Sequence, residues 1–229
     1  LSLARAAMEV WGGGLFGCAD LLRRAAAELA ALKTTREVPT VLLTGAVYVR
    51  LDPFACDFII DRLEAQGIRV LLASFGEWLE YIDLVNRDYR GQGGLCARLR
   101  HALRERVGAV AWSAIGPTLG WPTPATSREA VSAALPYLHE EFIGAAILAV
   151  GGGLREHQEG RIDAVVNVGP HECMPCKIAE AQLVHASERE ALLSVSLPFN
   201  GDPLDPGIVE NFAWEVHRRF EARRRNGGA

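Results

Sequence analysis

Cys173 and Cys176 stand three residues apart in His171-Glu172-Cys173-Met174-Pro175-Cys176-Lys177, the stretch of this chain best equipped for chemistry. An apolar run, 164–168, precedes them and a helix-period segment, 178–186, follows. A strand that turns into a helix carries both sulfurs to the positive end of the helix dipole, where thiolates are stabilised. A thiolate binds metal, ligates an iron–sulfur cluster or exchanges disulfides, and the spacing leaves all three open. A closed zinc site asks for four ligands, and only His171 and His185 lie near in sequence. The Cys-x-Pro-Cys form at a helix start suits a redox pair whose first thiol has a lowered pKa. The remaining readings are a partial iron–sulfur site completed by cysteines from elsewhere, and two buried thiols with no ligand. Cys18, Cys56 and Cys96 fall inside helix patterns and read as small core residues.

The elements that must position this pair are visible as four short aliphatic runs, 40–43, 69–73, 164–168 and 192–197. Continuous rather than alternating apolar runs point to strands covered on both faces, hence to a parallel sheet. Each is followed by a helix-period segment, at 54–66, 78–86, 178–186 and 208–223. The alternation predicts an α/β fold, Rossmann-like and doubly wound, with a mainly parallel four-stranded sheet. Pro53 and Gly67 bracket the first crossover helix, with Asp52 as its N-cap. Segments 95–107 and 128–148 read as helices, and 112–124, rich in Gly and Pro, as an irregular loop between them. The expected organisation is one structural domain in four parts. These are N-terminal helices over 1–36, broken at Gly12-Gly13-Gly14; a first α/β half over 37–94; a helical insertion over 95–150; and a second α/β half over 151–229. Gly151-Gly152-Gly153 lacks the Lys-Ser/Thr of a phosphate loop and reads as a helix C-terminus.

Open α/β sheets bind ligands beyond the carboxyl ends of their strands. Four loops meet that criterion. The first offers Tyr48, Arg50 and Asp52, the second Glu77, the third His171, Cys173 and Cys176, and the fourth Asn200 and Asp202. On a parallel sheet all four share one edge, where Arg50, Glu77, Cys173 and Asp202 could assemble a site. Asn200-Gly201-Asp202 is equally ordinary turn chemistry.

Composition narrows the classes. The chain has 229 residues, 49% hydrophobic and 23% charged, with a net charge of −4, so nothing marks it as a nucleic-acid binder. Arg218, Arg219 and Arg223 to Arg225 form only a local basic tail, read as a solvated helix end. The most apolar stretch, 143–154, is too short and Gly-rich to cross a bilayer, so no membrane partner is expected. The chain begins at Leu1 with a charged helix rather than a signal peptide, and the expectation is a fragment or a processed subunit. Five cysteines, an odd number, argue for a reducing cytoplasm.

Several stretches together resemble a known family. They are Thr44-Gly45-Ala46-Val47-Tyr48-Val49-Arg50-Leu51-Asp52-Pro53-Phe54, Glu77-Trp78-Leu79-Glu80-Tyr81 and Gly169-Pro170-His171-Glu172-Cys173-Met174-Pro175. Asn200-Gly201-Asp202-Pro203 and Asn211-Phe212-Ala213-Trp214-Glu215-Val216-His217 complete the set. In this order they resemble the 2-hydroxyacyl-CoA dehydratase iron–sulfur subunits. That group includes the C-terminal domain of large activases with actin-like ATPase modules, and the double-cubane-cluster proteins. The resemblance runs over about 38–220, and its most specific element is Gly-Pro-x-x-Cys-Met-Pro. It implies Rossmann-like domains holding a cluster at their interface, of the 4Fe–4S type or larger, for low-potential electron transfer. It carries the cluster-ligating role to Cys173. Cys176, where the family more often has a small residue, becomes a second candidate ligand. Cys56 replaces a common Asn, and Ala46 a common acidic residue. The implied partners are other subunits or domains that supply further cysteines, an actin-like ATPase activator among them, in a homo- or hetero-oligomer. The chain would then be a dehydratase or reductase component, inactive in isolation. Two other functions stay open from the residues alone: a thiol–disulfide oxidoreductase using Cys173 and Cys176, and a non-catalytic assembly domain that has lost its cluster.

Overall fold

A computed structural model describes residues 3–33, 36–91, 94–123, 125–142 and 144–227, with side chains from 17 to 225. Leu1, Pro124 and Ile143, which enter the reading above, lie outside the described residues. In chain order the elements begin with α1 (Leu3–Leu32), β1 (Thr40–Gly45), α2 (Val47–Leu51), α3 (Ile59–Ala65) and β2 (Arg69–Leu72). Then come α4 (Phe75–Leu84), a π-helical turn (Val85–Tyr89), α5 (Leu95–Leu119), α6 (Ser127–Ala134) and α7 (Ala145–Gln158). Strand β3 (Ala164–Pro170), α8 (Met174–Glu190), β4 (Leu193–Phe199) and α9 (Pro206–Gly227) complete the chain. Two compact units result: Leu1–Arg36 with Asn86–Pro124, and Glu37–Val85 with Ala125–Ala229.

The second unit carries the sheet. Its four strands are all parallel, in the order β2-β1-β3-β4. Alternate side chains of each strand feed opposite faces, as the period of two requires. Leu42 and Val165 join one core with Tyr81 of α4, Ala130 of α6, Ile147 and Leu154 of α7 and Leu183 of α8. Val41, Leu43, Val166 and Val168 join the other with Ile59 and Leu63 of α3 and Val209 and Val216 of α9. Helices therefore cover both faces, which is the doubly wound α/β arrangement expected from the continuous apolar runs. The edge strand β2 is the most exposed of the four.

The expected first helix over 54–66 begins later. Asp52 accepts from the Phe54 and Ala55 amides at 2.9 and 3.2 Å, capping a turn over 53–58 rather than a helix. Asp57 and Phe58 are left-handed there (φ 49° and 54°), and Asp57 is held by Arg62 (2.7 Å) and the Leu204 amide (2.8 Å). Helix α3 then ends at Gly67, whose φ of +75° fits the predicted exit. The segment expected as one helix over 128–148 is two. Helix α6 ends at Ala134: Leu135 keeps helical geometry (φ −53°, ψ −34°), but Pro136 after it has no amide to continue the ladder and the chain passes into a turn.

Gly151-Gly152-Gly153 is not a C-terminus but the middle of α7. A methyl at Gly151 would overlap the Ala130 carbonyl oxygen of α6, and one at Gly153 would press on the Val165 side chain at 3.0 Å. The glycines let a helix lie hard against its neighbours.

In the first unit, α1 packs on α5. Helix α1 runs unbroken through Gly12-Gly13-Gly14, since packing against a partner helix outweighs intrinsic propensity. Helix α5 extends to Leu119, so most of the expected loop at 112–124 is helical. Pro117 lies in its last turn, and Gly120 (φ +62°) closes it, with the Trp121 amide donating to Gly116 at 3.0 Å.

Gly151→Ala tests the packing. At an open helical position the change would gain about 1 kcal/mol. Against Ala130 it should instead cost about 1–3 kcal/mol by overpacking, read from urea denaturation. A more stable variant would contradict the close approach.

Candidate functional site

The chain leaves β1 for β2 on one side and leaves β3 for β4 on the other, so the topological switch point lies between β1 and β3. In such sheets the crevice beyond the carboxyl ends at that point is where ligands bind. The loop after β3 delivers the cysteine pair there. His171 donates its amide to Phe199 at 2.9 Å, and the Cys173 amide donates to Pro170 at 3.1 Å, which folds the chain into a tight turn. Glu172 sits at φ 60° within it, a left-handed conformation costly for a side chain with Cβ. Cys173 is the N-cap of the 17-residue helix α8, Pro175 lies in the first turn, and Cys176 stands at N3.

Both sulfurs are half-buried. The Cys176 thiol lies 3.8 Å from the Val168 carbonyl oxygen, which also accepts the Ala46 amide from β1's end at 2.8 Å. Burial first, then the Cys173 contact and charge, push its pKa up to about 12. The Ala46 amide and Lys177 act the other way. Cys176 therefore holds its proton at neutral pH, and Cys173 is the sulfur left at the helix N-terminus for other chemistry. Gly169 makes room for this arrangement, because a methyl there would overlap the Cys176 sulfur.

The other residues expected at this edge divide into separate groups. Arg50 is buried, donating to the Gly45 carbonyl at 3.2 Å and the Ser74 carbonyl at 3.4 Å. Burial lowers its pKa, with Glu77 opposing. Glu77, in the first turn of α4, is pushed up to about 7, chiefly by burial, with Arg50 pulling the other way and Glu80 and Glu156 adding to the rise. Tyr48 and His171 are exposed, and His171 reaches only the neighbouring Glu172, at 4.0 Å. Asn200 and Asp202 bond to each other at 2.8 and 2.9 Å in a self-contained turn. Cys56 is a core residue as expected, its thiol 3.6 Å from the Pro53 carbonyl. Cys18 is half-buried and Cys96 is exposed, so the latter is not the core residue its helix pattern suggested.

Asn167 belongs to the site although the sequence reading passed over it. It is 2% exposed on β3, and its amide nitrogen donates to the Cys176 carbonyl at 3.2 Å and to Ser196 at 3.1 Å. The clue was present: an Asn inside Ala-Val-Val-Asn-Val is a polar residue in a strand covered on both faces, which must find a buried partner.

Two soft thiols at a helix N-terminus suit an iron–sulfur cluster and supply half of a four-thiolate set. Among the described residues, no group of three or more His, Cys, Asp or Glu converges to hold a metal ion. Among the described residues, no helix is long and apolar enough to cross a membrane.

Glu77 gives a pH signature. Its folded value, about 7, lies above the ordinary 4.5, so the folded state binds the proton more tightly. Its unfavourable contribution is absent below about 4.5, grows through that window and is complete above about 7, at up to about 1.4 kcal/mol per pH unit. Glu77→Gln should flatten the fall in stability between those values and raise the melting temperature more at pH 8 than at pH 4. An equal shift at both would show that the carboxyl is not desolvated. Compared with known proteins, the chain matches no family model, no curated protein and no solved structure.

Proposed function

We propose that this chain is the iron–sulfur domain of a system like the 2-hydroxyacyl-CoA dehydratases and their activases, with Cys173 as one cluster thiolate. The observation that carries the reading is the seat of Cys173: N-cap of α8, beside the switch point of a parallel sheet. The helix N-terminus there offsets negative charge on sulfur. Cys176, held against Gly169 and Asn167, buttresses the turn and is the candidate second ligand. A cluster bound here would supply one-electron transfer at low potential. The remaining thiolates come from another domain or subunit, such as one delivered with an actin-like ATPase activator. Gly-Pro-x-x-Cys-Met-Pro supports this family reading over a generic thiol pair.

A second reading, a thiol–disulfide oxidoreductase, is favoured by the placement of both cysteines at the start of α8, Cys173 at the N-cap and Cys176 in the first turn. In that chemistry the Cys173 thiolate attacks a substrate disulfide and displaces one thiolate. Cys176 then attacks the mixed disulfide, losing its proton, and the second substrate thiol leaves. The substrate is reduced and the protein pair oxidised.

Anaerobic reconstitution with ferrous iron, sulfide and a small thiol to fill the open positions separates the two. The proposal predicts a brown protein whose iron is lost in Cys173→Ser and reduced in Cys176→Ser. Colourless, iron-free wild-type protein that exchanges disulfides, with exchange abolished in Cys176→Ser, would establish the second reading instead.

A further inference from the structure

Arg50 is an expensive residue that neither reading accounts for. It is 6% exposed, its Nε is buried without a partner, and no carboxylate lies within ion-pair distance of it among the described residues. Its two hydrogen bonds go to backbone carbonyls, those of Gly45 and Ser74. A buried guanidinium with an unpaired N–H calls for an explanation beyond tying two strand ends together.

The Gly45 carbonyl belongs to the peptide whose other end is the Ala46 N–H. That N–H donates to Val168 at 2.8 Å, and the Cys176 sulfur lies 3.8 Å from the same Val168 oxygen. Arg50 therefore grips one end of a peptide plane whose other end bonds the oxygen that the Cys176 thiol also meets. A cation on a carbonyl oxygen polarises the peptide and makes its N–H a stronger donor. We propose that Arg50 is a positioning residue for the cysteine pair, acting on the Cys176 sulfur through the Gly45–Ala46 peptide. The guanidinium orders that peptide at the ends of β1 and β3 and strengthens the Ala46 bond to the Val168 oxygen, for which the Cys176 thiol competes. Glu77, which opposes the Arg50 charge, moderates the effect. The inference rests on the pair being the reactive centre, and it holds whichever ligand or disulfide the pair meets.

The test uses the iron-free full chain, so its outcome is separate from that of iron uptake. In a Cys173→Ser background, the alkylation rate of Cys176 is followed by mass spectrometry of its tryptic peptide. The Ala46 amide proton shift is measured by NMR. Arg50→Gln should slow alkylation about threefold and move the Ala46 amide upfield, as expected when one polarising bond in a chain is lost. Arg50→Lys should restore most of both, and Glu77→Gln should speed alkylation. Purely structural loss would not produce opposite signs from Arg50→Gln and Glu77→Gln. An unchanged Cys176 rate and Ala46 shift in folded Arg50→Gln overturns the proposal. Should that variant fail to fold, an unchanged rate and shift in Glu77→Gln overturn it equally.

Discussion

Gly45 and Val168 meet at the carboxyl ends of β1 and β3 with no room for a side chain between them. A methyl on Gly45 would overlap the Val168 carbonyl oxygen, and the residue sits at φ +107°, where an L side chain is strained. That close approach brings the Ala46 amide to Val168 at 2.8 Å and sets the floor on which the Cys176 sulfur rests. Gly169 repeats the logic one residue on, leaving the sulfur the space a methyl would take. The cysteine pair is placed by backbone, and glycine is the residue that lets backbone come so near.

Charge follows from that placement. Helix α8 points its positive end at Cys173, while Cys176 is enclosed and keeps its proton. Two sulfurs with one sequence spacing thus have different characters because one caps a helix and the other is pressed beneath it. Asn167 secures the difference by holding the Cys176 carbonyl from the strand below. The desolvated Arg50 and Glu77 lie to the β1–β2 side of this centre, a charged pair held apart rather than closed into a salt bridge. Such an arrangement costs stability and is typical of places where function outweighs packing.

Much of this was legible in the chain. The strand runs were apolar because both faces of the sheet are covered, and the Cys-Met-Pro-Cys loop announced a strand–turn–helix by its neighbours. What escaped depended on contacts between distant segments. Gly151-Gly152-Gly153 looked like a helix end because only the position of α6 shows why a helix would be stripped of side chains there. The turn over 53–58 looked helical because left-handed Asp57 is fixed by Leu204, 147 residues away. Arg50 was visible as a candidate, but its link to sulfur runs through a peptide plane that no residue pattern encodes.

The central claim is that Cys173 is a thiolate of an iron–sulfur cluster shared with another domain or subunit. Iron-edge anomalous diffraction from anaerobically reconstituted crystals addresses it most directly. The account predicts an iron peak bonded to the Cys173 sulfur in the crevice between the ends of β1 and β3. An iron peak elsewhere, or none beside an intact Cys173–Cys176 disulfide, would contradict it.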